Sequence, residues 1–314
     1  MSFSVLRILS PCGRTACSID PLPDLPQAKV VRSPRRSFNS LATCGTLPAQ
    51  VGNESLKITK QDVAAQFGRR SHAYVTSPSH AGGADLGLLL QLVAPHPKMQ
   101  LLDVATGAGH TAMALAPYVA DVTAIDLAPE MIRRTEELCA SRGLRNITAM
   151  VMDVEALEFP DAVFDAVTCR IAAHHFLDCV KAVREMARVL KPGGRLVLED
   201  NSIPADAELD RFLNGVECIR DATHVRAYNE AEWRAMLAGA GLRVLHSQIH
   251  QKVHNVAHWL ERAGLDEAGK QRVYAAMAAA SPAARRHFEI VEEAGRPAFF
   301  TDDKLILMAE KPSA

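Results

Sequence analysis

The chain has 314 residues, 48% hydrophobic and 23% charged, a balance that excludes general disorder, a collagenous repeat and a small disulfide scaffold. Net charge is −1, yet the first 60 residues hold eight Lys/Arg against three acids, leaving 27 basic and 33 acidic residues beyond them. A mildly acidic remainder lacks the electrostatic footprint of a nucleic-acid binder, so no nucleic-acid partner is expected.

Residues 1–52 scatter prolines among Ser, Thr and Arg and read as a disordered leader or a transit peptide. A cytoplasmic location is expected, or a mitochondrial or plastid one if the segment is a targeting signal. Seven cysteines without a C-x-x-C pair suit a reducing compartment and behave as small buried hydrophobes. The richest apolar run, Leu86 to Val93, is broken by Gly87 and Gln91, so no stable membrane insertion is expected.

Structure is expected from Ile58 onward. Ile58, Val63, Ala64 and Phe67 predict a helix ended by Gly68, and Leu86 to Leu92 a second. Strands then alternate with helices: strand 100–105, helix 110–119, strand 121–126, helix 129–142, strands 147–152 and 163–170, helix 178–190 and strand 195–200. Helical segments at 206–221 and 230–240, a strand at 243–249, mostly helical sequence and a last strand at 304–309 complete the pattern. Such alternation predicts a doubly wound parallel α/β sheet.

The string Leu101-Leu102-Asp103-Val104-Ala105-Thr106-Gly107-Ala108-Gly109-His110 is a buried strand running into a glycine turn and a helix. Its glycines let the backbone approach a ligand, and the helix start offers free N–H groups. Gly107 to Ala112 also satisfies the G-x-G-x-x-G/A dinucleotide pattern, so the loop alone leaves a dinucleotide or an adenosyl ligand open. The surrounding acids discriminate. Asp103 suits a ligand ammonium and would repel a pyrophosphate, Asp126 ends the second strand where ribose hydroxyls are gripped, and Asp153 follows the third as an acceptor for an exocyclic amine.

With these pieces in place, the segment from Asp103 to Leu242 resembles a class I S-adenosylmethionine-dependent methyltransferase of the small-molecule type near the ubiquinone/menaquinone C-methyltransferases. Phe164-Asp165-Ala166-Val167 and Arg188-Val189-Leu190-Lys191-Pro192-Gly193-Gly194 strengthen the match, as do Gln66-Phe67-Gly68 and Phe300 to Lys311 at the flanks. The resemblance implies a Rossmann-like α/β fold: a seven-stranded doubly wound sheet with an antiparallel last strand, an N-terminal helical cap and helical insertions. It implies a methyltransferase domain over 53–314, with a core at 98–202 and acceptor-side insertions at 203–240 and 254–298. It also implies that Asp103 and Gly107 to Gly109 hold the methionine moiety, Asp126 the ribose, and Asp153 with Val154 the adenine. Ala105, Thr106, Leu127, Met131 and Arg170 complete the cofactor set. Two positions depart from the commonest family pattern: Ala105 replaces a glycine, and Met152 precedes Asp153 where glycine is frequent.

The fourth strand ends in Cys169-Arg170-Ile171-Ala172-Ala173-His174-His175, so His174 or His175 is the candidate base at the crevice. Tyr74, Asn201, Glu217, His224 and Arg226 are candidate acceptor contacts. Glu217, Arg220, Asp221 and His224 recur at helical steps, and a solvated charged face is the preferred reading of that stripe. His246, His250, His254 and His258 recur every four residues, but residues 243–249 read as a strand, so no metal site is expected. Trp233 and Trp259 read as packing or pocket wall. The expected activity is methyl transfer from S-adenosylmethionine to a small-molecule acceptor, phenolic or quinone-like, by a monomer or homodimer. The alternatives are an NAD-dependent oxidoreductase and a non-catalytic cofactor-binding protein.

Overall fold

The computed structural model describes residues 58–75 and 84–313, and the expected leader at 1–52 lies outside them. β1 (Gln100–Val104) is buried from Leu101 onward. It pairs in parallel with β2 (Asp121–Asp126) on one side and β4 (Phe164–Arg170) on the other. β3 (Ile147–Val151) extends the sheet beyond β2, and β5 (Leu190–Ser202) extends it beyond β4, both in parallel. β8 (Arg296–Glu310) then runs antiparallel between β5 and β6 (Arg243–Asn255). A three-residue strand, β7 (Val291–Glu293), pairs with β8 and adds an eighth strand to the seven expected. The spatial order is β3-β2-β1-β4-β5-β8-β6.

Helices cover both faces. α2 (Ala84–Val93) and α3 (His110–Leu115) bury Leu89, Val93, Ala112 and Leu115 against Leu101, Val122 and Val197. On the other face lie α5 (Cys179–Val189) and α7 (Glu230–Gly239). α5 shows how the sequence selects its face: Cys179, Ala182, Val183, Met186 and Ala187 recur at three- and four-residue steps and are buried. The Asp178 carboxylate caps its start by accepting the Lys181 N–H at 2.9 Å. α4 (Pro129–Ser141) joins β2 to β3. A separate apolar core gathers α6 (Ala207–Arg220), α8 (Val256–Arg262), α9 (Glu267–Ala278) and α10 (Pro282–His287) around Trp259 and Phe300, on the far halves of β6 and β8.

Several boundaries differ from the sequence reading. α1 (Lys60–Val75) passes straight through Gly68. A Cβ there would stand 2.7 Å from the Glu130 carboxylate, so this glycine marks a close approach to α4 and no helix end. α3 stops at Leu115 because Pro117 lacks an N–H, and a 3-10 turn at Ala116–Tyr118 follows. β6 continues six residues past the expected Ile249, and β8 begins eight residues before Lys304, since the two strands pair from Arg243↔Glu310 to Asn255↔Phe299.

Candidate active site

Strand order reverses between β1 and β4, where the carboxyl ends of neighbouring strands part to leave a crevice. The cleft there encloses ≈ 1030 Å³, space open to solvent included, the scale of a small-molecule site. Its floor is the loop from β1 to α3. Ala105, Gly107 and Gly109 take φ of 51°, 57° and 81°, three left-handed steps that fold the backbone tightly under the cleft. Ala105 pays about 1 kcal/mol for its Cβ in that conformation. A Cβ at Gly109 would meet Thr135 Cγ2 at 2.7 Å, so contact and backbone conformation both demand glycine.

Asp103, on β1, is 1% exposed. Its carboxylate accepts the hydroxyls of Thr106 and Thr168, each at 2.6 Å. Burial pushes its pKa up to about 6 while the two hydroxyls pull the other way. Asp126, ending β2, accepts the N–H groups of Gly107 and Ala128, each at 2.9 Å. Burial raises its pKa against those bonds. A carboxylate has about four lone-pair sites, so Asp126 keeps acceptor capacity.

Asp153 follows β3. One oxygen accepts the Glu155 N–H at 2.9 Å and the other pairs with Lys60, which also reaches Glu155 at 2.7 Å. Lys60, the first residue of α1, lines the cleft and was missed from the sequence. Its partner lies 93 residues away, and no local pattern encodes that contact. Thr106, Leu127, Met131, Met152 and Val154 also line the cleft. Arg170 lines it too, with its guanidinium held by Asp85 and by Glu199 at 3.1 Å. Burial and the Asp85 charge push Glu199 up to about 8, against the pull of Arg170.

Ile171 takes φ of 53°, rare for a β-branched residue, and its N–H is held by the Glu199 carbonyl at 2.7 Å. The 3-10 turn that follows, Ala173–His175, gives the two histidines different places. His175 lines the cleft and His174 does not. His174 is clamped by Asp200, which accepts its N–H at 2.9 Å and meets its Nδ1 at 2.5 Å. Burial opposes protonation of His174, but the charge and hydrogen bond of Asp200 outweigh it and raise the pKa.

His175 Nδ1 lies 2.9 Å from the Thr223 carbonyl. A carbonyl only accepts, so Nδ1 carries the proton and Nε2 holds the lone pair. Burial, then the neighbouring His174 charge, push the His175 pKa down to about 3. Phe67 of α1 packs edge-on against the ring at 4.8 Å.

Asn201, Glu217, His224 and Arg226 do not line the cleft. Glu217 and His224 are 3% and 2% exposed, so the stripe on α6 turns inward and is no solvated face. It joins a polar cluster behind the histidines: His224 lies 5.6 Å from His174 and bonds Asn214 Oδ1 at 2.9 Å, and Glu217 pairs with Arg220 at 2.7 Å. Arg220 in turn stands over Trp259 at 4.6 Å. Asn201 accepts from Lys304, which pairs with Asp302. Arg226 is taken by Asp210 and Glu232, each at 2.8 Å. The Tyr74 side chain lies outside the described residues. His246, His250 and His254 ride on β6, where four residues span roughly 13 Å, while His258 sits on α8. Cys139, Cys169 and Cys179 are buried, as expected, but Cys218 is exposed. Trp233 and Trp259 are packed in the cores.

Similarity to known proteins follows the same outline. The pattern of the methyltransferase-domain family matches residues 102–198. The uncharacterized methyltransferase YcgJ of Bacillus subtilis is 35% identical over 246 residues, 78% of this chain and 97% of its own length. Its crystal structure overlays with a TM-score of 0.72, covering 74% of this chain and 99% of that one. The uncharacterized protein YafE of Escherichia coli K12 is 33% identical over 65% of this chain and 96% of its own. A demethylmenaquinone methyltransferase of Thermus thermophilus is 42% identical, but over only 32% of this chain and 46% of its own.

Proposed function

The chain belongs to the class I S-adenosylmethionine-dependent methyltransferases, near the ubiquinone/menaquinone C-methyltransferases, and from that premise we propose that it methylates a small, largely apolar acceptor with His175 as the base. S-adenosylmethionine is its methyl donor, and when bound it supplies an electrophilic methyl carbon on a sulfonium.

The residues present fit that donor. Asp103, Asp126, Asp153 and Glu155 face the cleft against Lys60 and an Arg170 whose charge is already met by the Asp85 carboxylate and whose guanidinium also bonds Glu199. The lining therefore favours a cation over a pyrophosphate. Asp103 and the loop to Gly109 would hold the amino-acid end, Asp126 with Leu127 and Met131 the ribose, and Asp153 with Val154 the adenine. The acceptor side is walled by Phe67, Ile171, Phe176 and Leu177, which suits an aromatic ring or short apolar chain and excludes water. As the acceptor gains the methyl group, its proton passes to His175 Nε2 and on to solvent, because burial keeps the ring from retaining it. Asn201, Glu217 and His224 act at a distance, as the polar backing of that wall. In the same proposal residues 53–314 form the methyltransferase unit, with 98–202 as core and 203–240 and 254–298 as acceptor-side insertions. The described cysteines are all free thiols, which supports a cytoplasmic location.

The observation that carries this reading is the convergence of three strand-end carboxylates and a neutral histidine on one cleft. The test is calorimetric titration of the full chain with S-adenosylhomocysteine and, in parallel, NADH. Turnover of wild type and His175→Gln is then measured over phenols, quinols, amines and thiols. S-adenosylhomocysteine alone should bind, and His175→Gln should keep that affinity while losing at least about 100-fold in turnover. Binding of NADH alone would return the oxidoreductase, and binding of S-adenosylhomocysteine with no acceptor turned over would return the non-catalytic protein.

A further inference from the structure

α1 touches both ends of the cleft. At its start Lys60 pairs with Asp153 and Glu155 on the adenine side. Two turns later the buried Gln66 amide donates to Asp221 Oδ1 and to Thr223 Oγ1, each at 2.6 Å. Asp221 and Thr223 belong to the loop after α6, and both are buried. The loop is cinched further by the Thr223 hydroxyl and N–H, which bond Asp221 Oδ1 at 2.8 and 2.9 Å, and Arg70 of α1 approaches Asp221 at 3.8 Å. It is the carbonyl of this same Thr223 that takes the Nδ1 proton of His175.

We propose that Gln66 is a positioning residue: by tying the Asp221–Thr223 loop to α1, it couples docking of the helix over the cleft to the tautomer of His175. With the loop held, the Thr223 carbonyl faces Nδ1, the proton stays there, and the Nε2 lone pair is kept for the acceptor. With the loop released, the carbonyl is no longer fixed on Nδ1 and the Nε2–H form becomes competitive, which presents a donor where an acceptor is needed. The ionisable groups around the ring are His174 at 4.2 Å between centroids, Asp221 and His224. Substitution at Gln66 leaves the charges of all three in place. The inference rests on the reading of His175 as base and adds the part that prepares it.

The test reads the ring directly and needs no acceptor. Full-length protein labelled with ¹⁵N-histidine gives imidazole spectra in which the His175 signals are identified by their loss in His175→Gln. Wild type should show the Nδ1–H form at neutral pH. Gln66→Leu should raise the ratio of Nε2–H to Nδ1–H roughly fivefold, the shift given by one ordinary hydrogen bond. The Thr223 hydroxyl also lies 3.3 Å from Nδ1, so the second link variant is Gln66→Met, which removes both donors and leaves Thr223 in place; it should move the ratio in the same direction and decides the matter if Gln66→Leu does not fold. Ala65→Gly weakens α1 at an exposed position and should leave the ratio unchanged. A wild-type spectrum in both link variants overturns the proposal, as does an equal shift in Ala65→Gly, which would make the effect one of helix stability. The base assignment fails separately, through undiminished turnover in His175→Gln.

Discussion

Replacing Asp126 by alanine tests whether one carboxylate both builds the loop and binds the ribose. In the protein alone it accepts the N–H groups of Gly107 and Ala128. Ala128 is 1% exposed, so its amide loses its acceptor without gaining water, at a cost of about 1–3 kcal/mol. Gly107 is half-exposed and can turn to solvent, adding less. Removing a carboxylate whose own burial is unfavourable returns part of the loss. With the smaller Gly107 loss and the relieved burial roughly offsetting, the expected destabilisation is about 1–3 kcal/mol, a fall in Tm of roughly 3–10 °C for a domain of this size. Binding should suffer more: two ribose hydroxyls donating to a charged acceptor contribute about 1.5–3 kcal/mol each, so affinity for S-adenosylhomocysteine should drop at least about 100-fold. Asp126→Asn retains an acceptor oxygen for one of the two amides and should recover about half of the lost stability while remaining a poor binder. Differential scanning calorimetry and titration calorimetry on the three proteins decide it. An Asp126→Ala protein that melts with wild type and binds equally well would refute the reasoning from bond to loop to ligand.

Two further outcomes are expected. Gly109→Ala places a Cβ 2.7 Å from Thr135 Cγ2 at a left-handed position and should cost roughly 2–4 kcal/mol, whereas Gly107→Ala meets nothing within 4 Å and should cost about 1 kcal/mol. Urea midpoints measure the difference, and equal losses would discredit the contact. Acid should also loosen the fold: His175 and His224 are held neutral by burial, down to about 3 and about 4. The unfolded chain takes up protons near pH 6.5 that the folded one refuses, so their contribution to stability is lost as pH falls from about 6.5 towards 4. His224→Gln should flatten the pH dependence of the urea midpoint between pH 7 and 4.5, and an unchanged slope would remove that assignment.

The positions of the residues proposed to hold the donor were legible because they are local to strand ends. Asp103, Asp126 and Asp153 stand where an alternating β/α pattern delivers them, and the Gly107 to Gly109 turn is written in consecutive letters. The histidine side of the cleft was not legible to the same degree. His174 and His175 are adjacent in sequence, and only a 3-10 turn after the strained Ile171 sends one ring to the cleft and the other to Asp200. The stripe from Glu217 to His224 carries the spacing of a solvated face, yet Glu217 finds Arg220 and Asp221 finds Gln66 inside the protein. Gln66 and Lys60 act through residues 155 and 93 positions away, a separation that no periodicity records. Gly68 misled in the opposite direction: a glycine in a helical pattern signals an end, but here it serves the contact with Glu130.

The apolar core on the far halves of β6 and β8 shares no residue with the two cores that line the faces of the sheet. A misfit among α8, α9 and α10 should therefore slacken this core first and leave the turn from β1 to α3, where the donor is proposed to sit, intact.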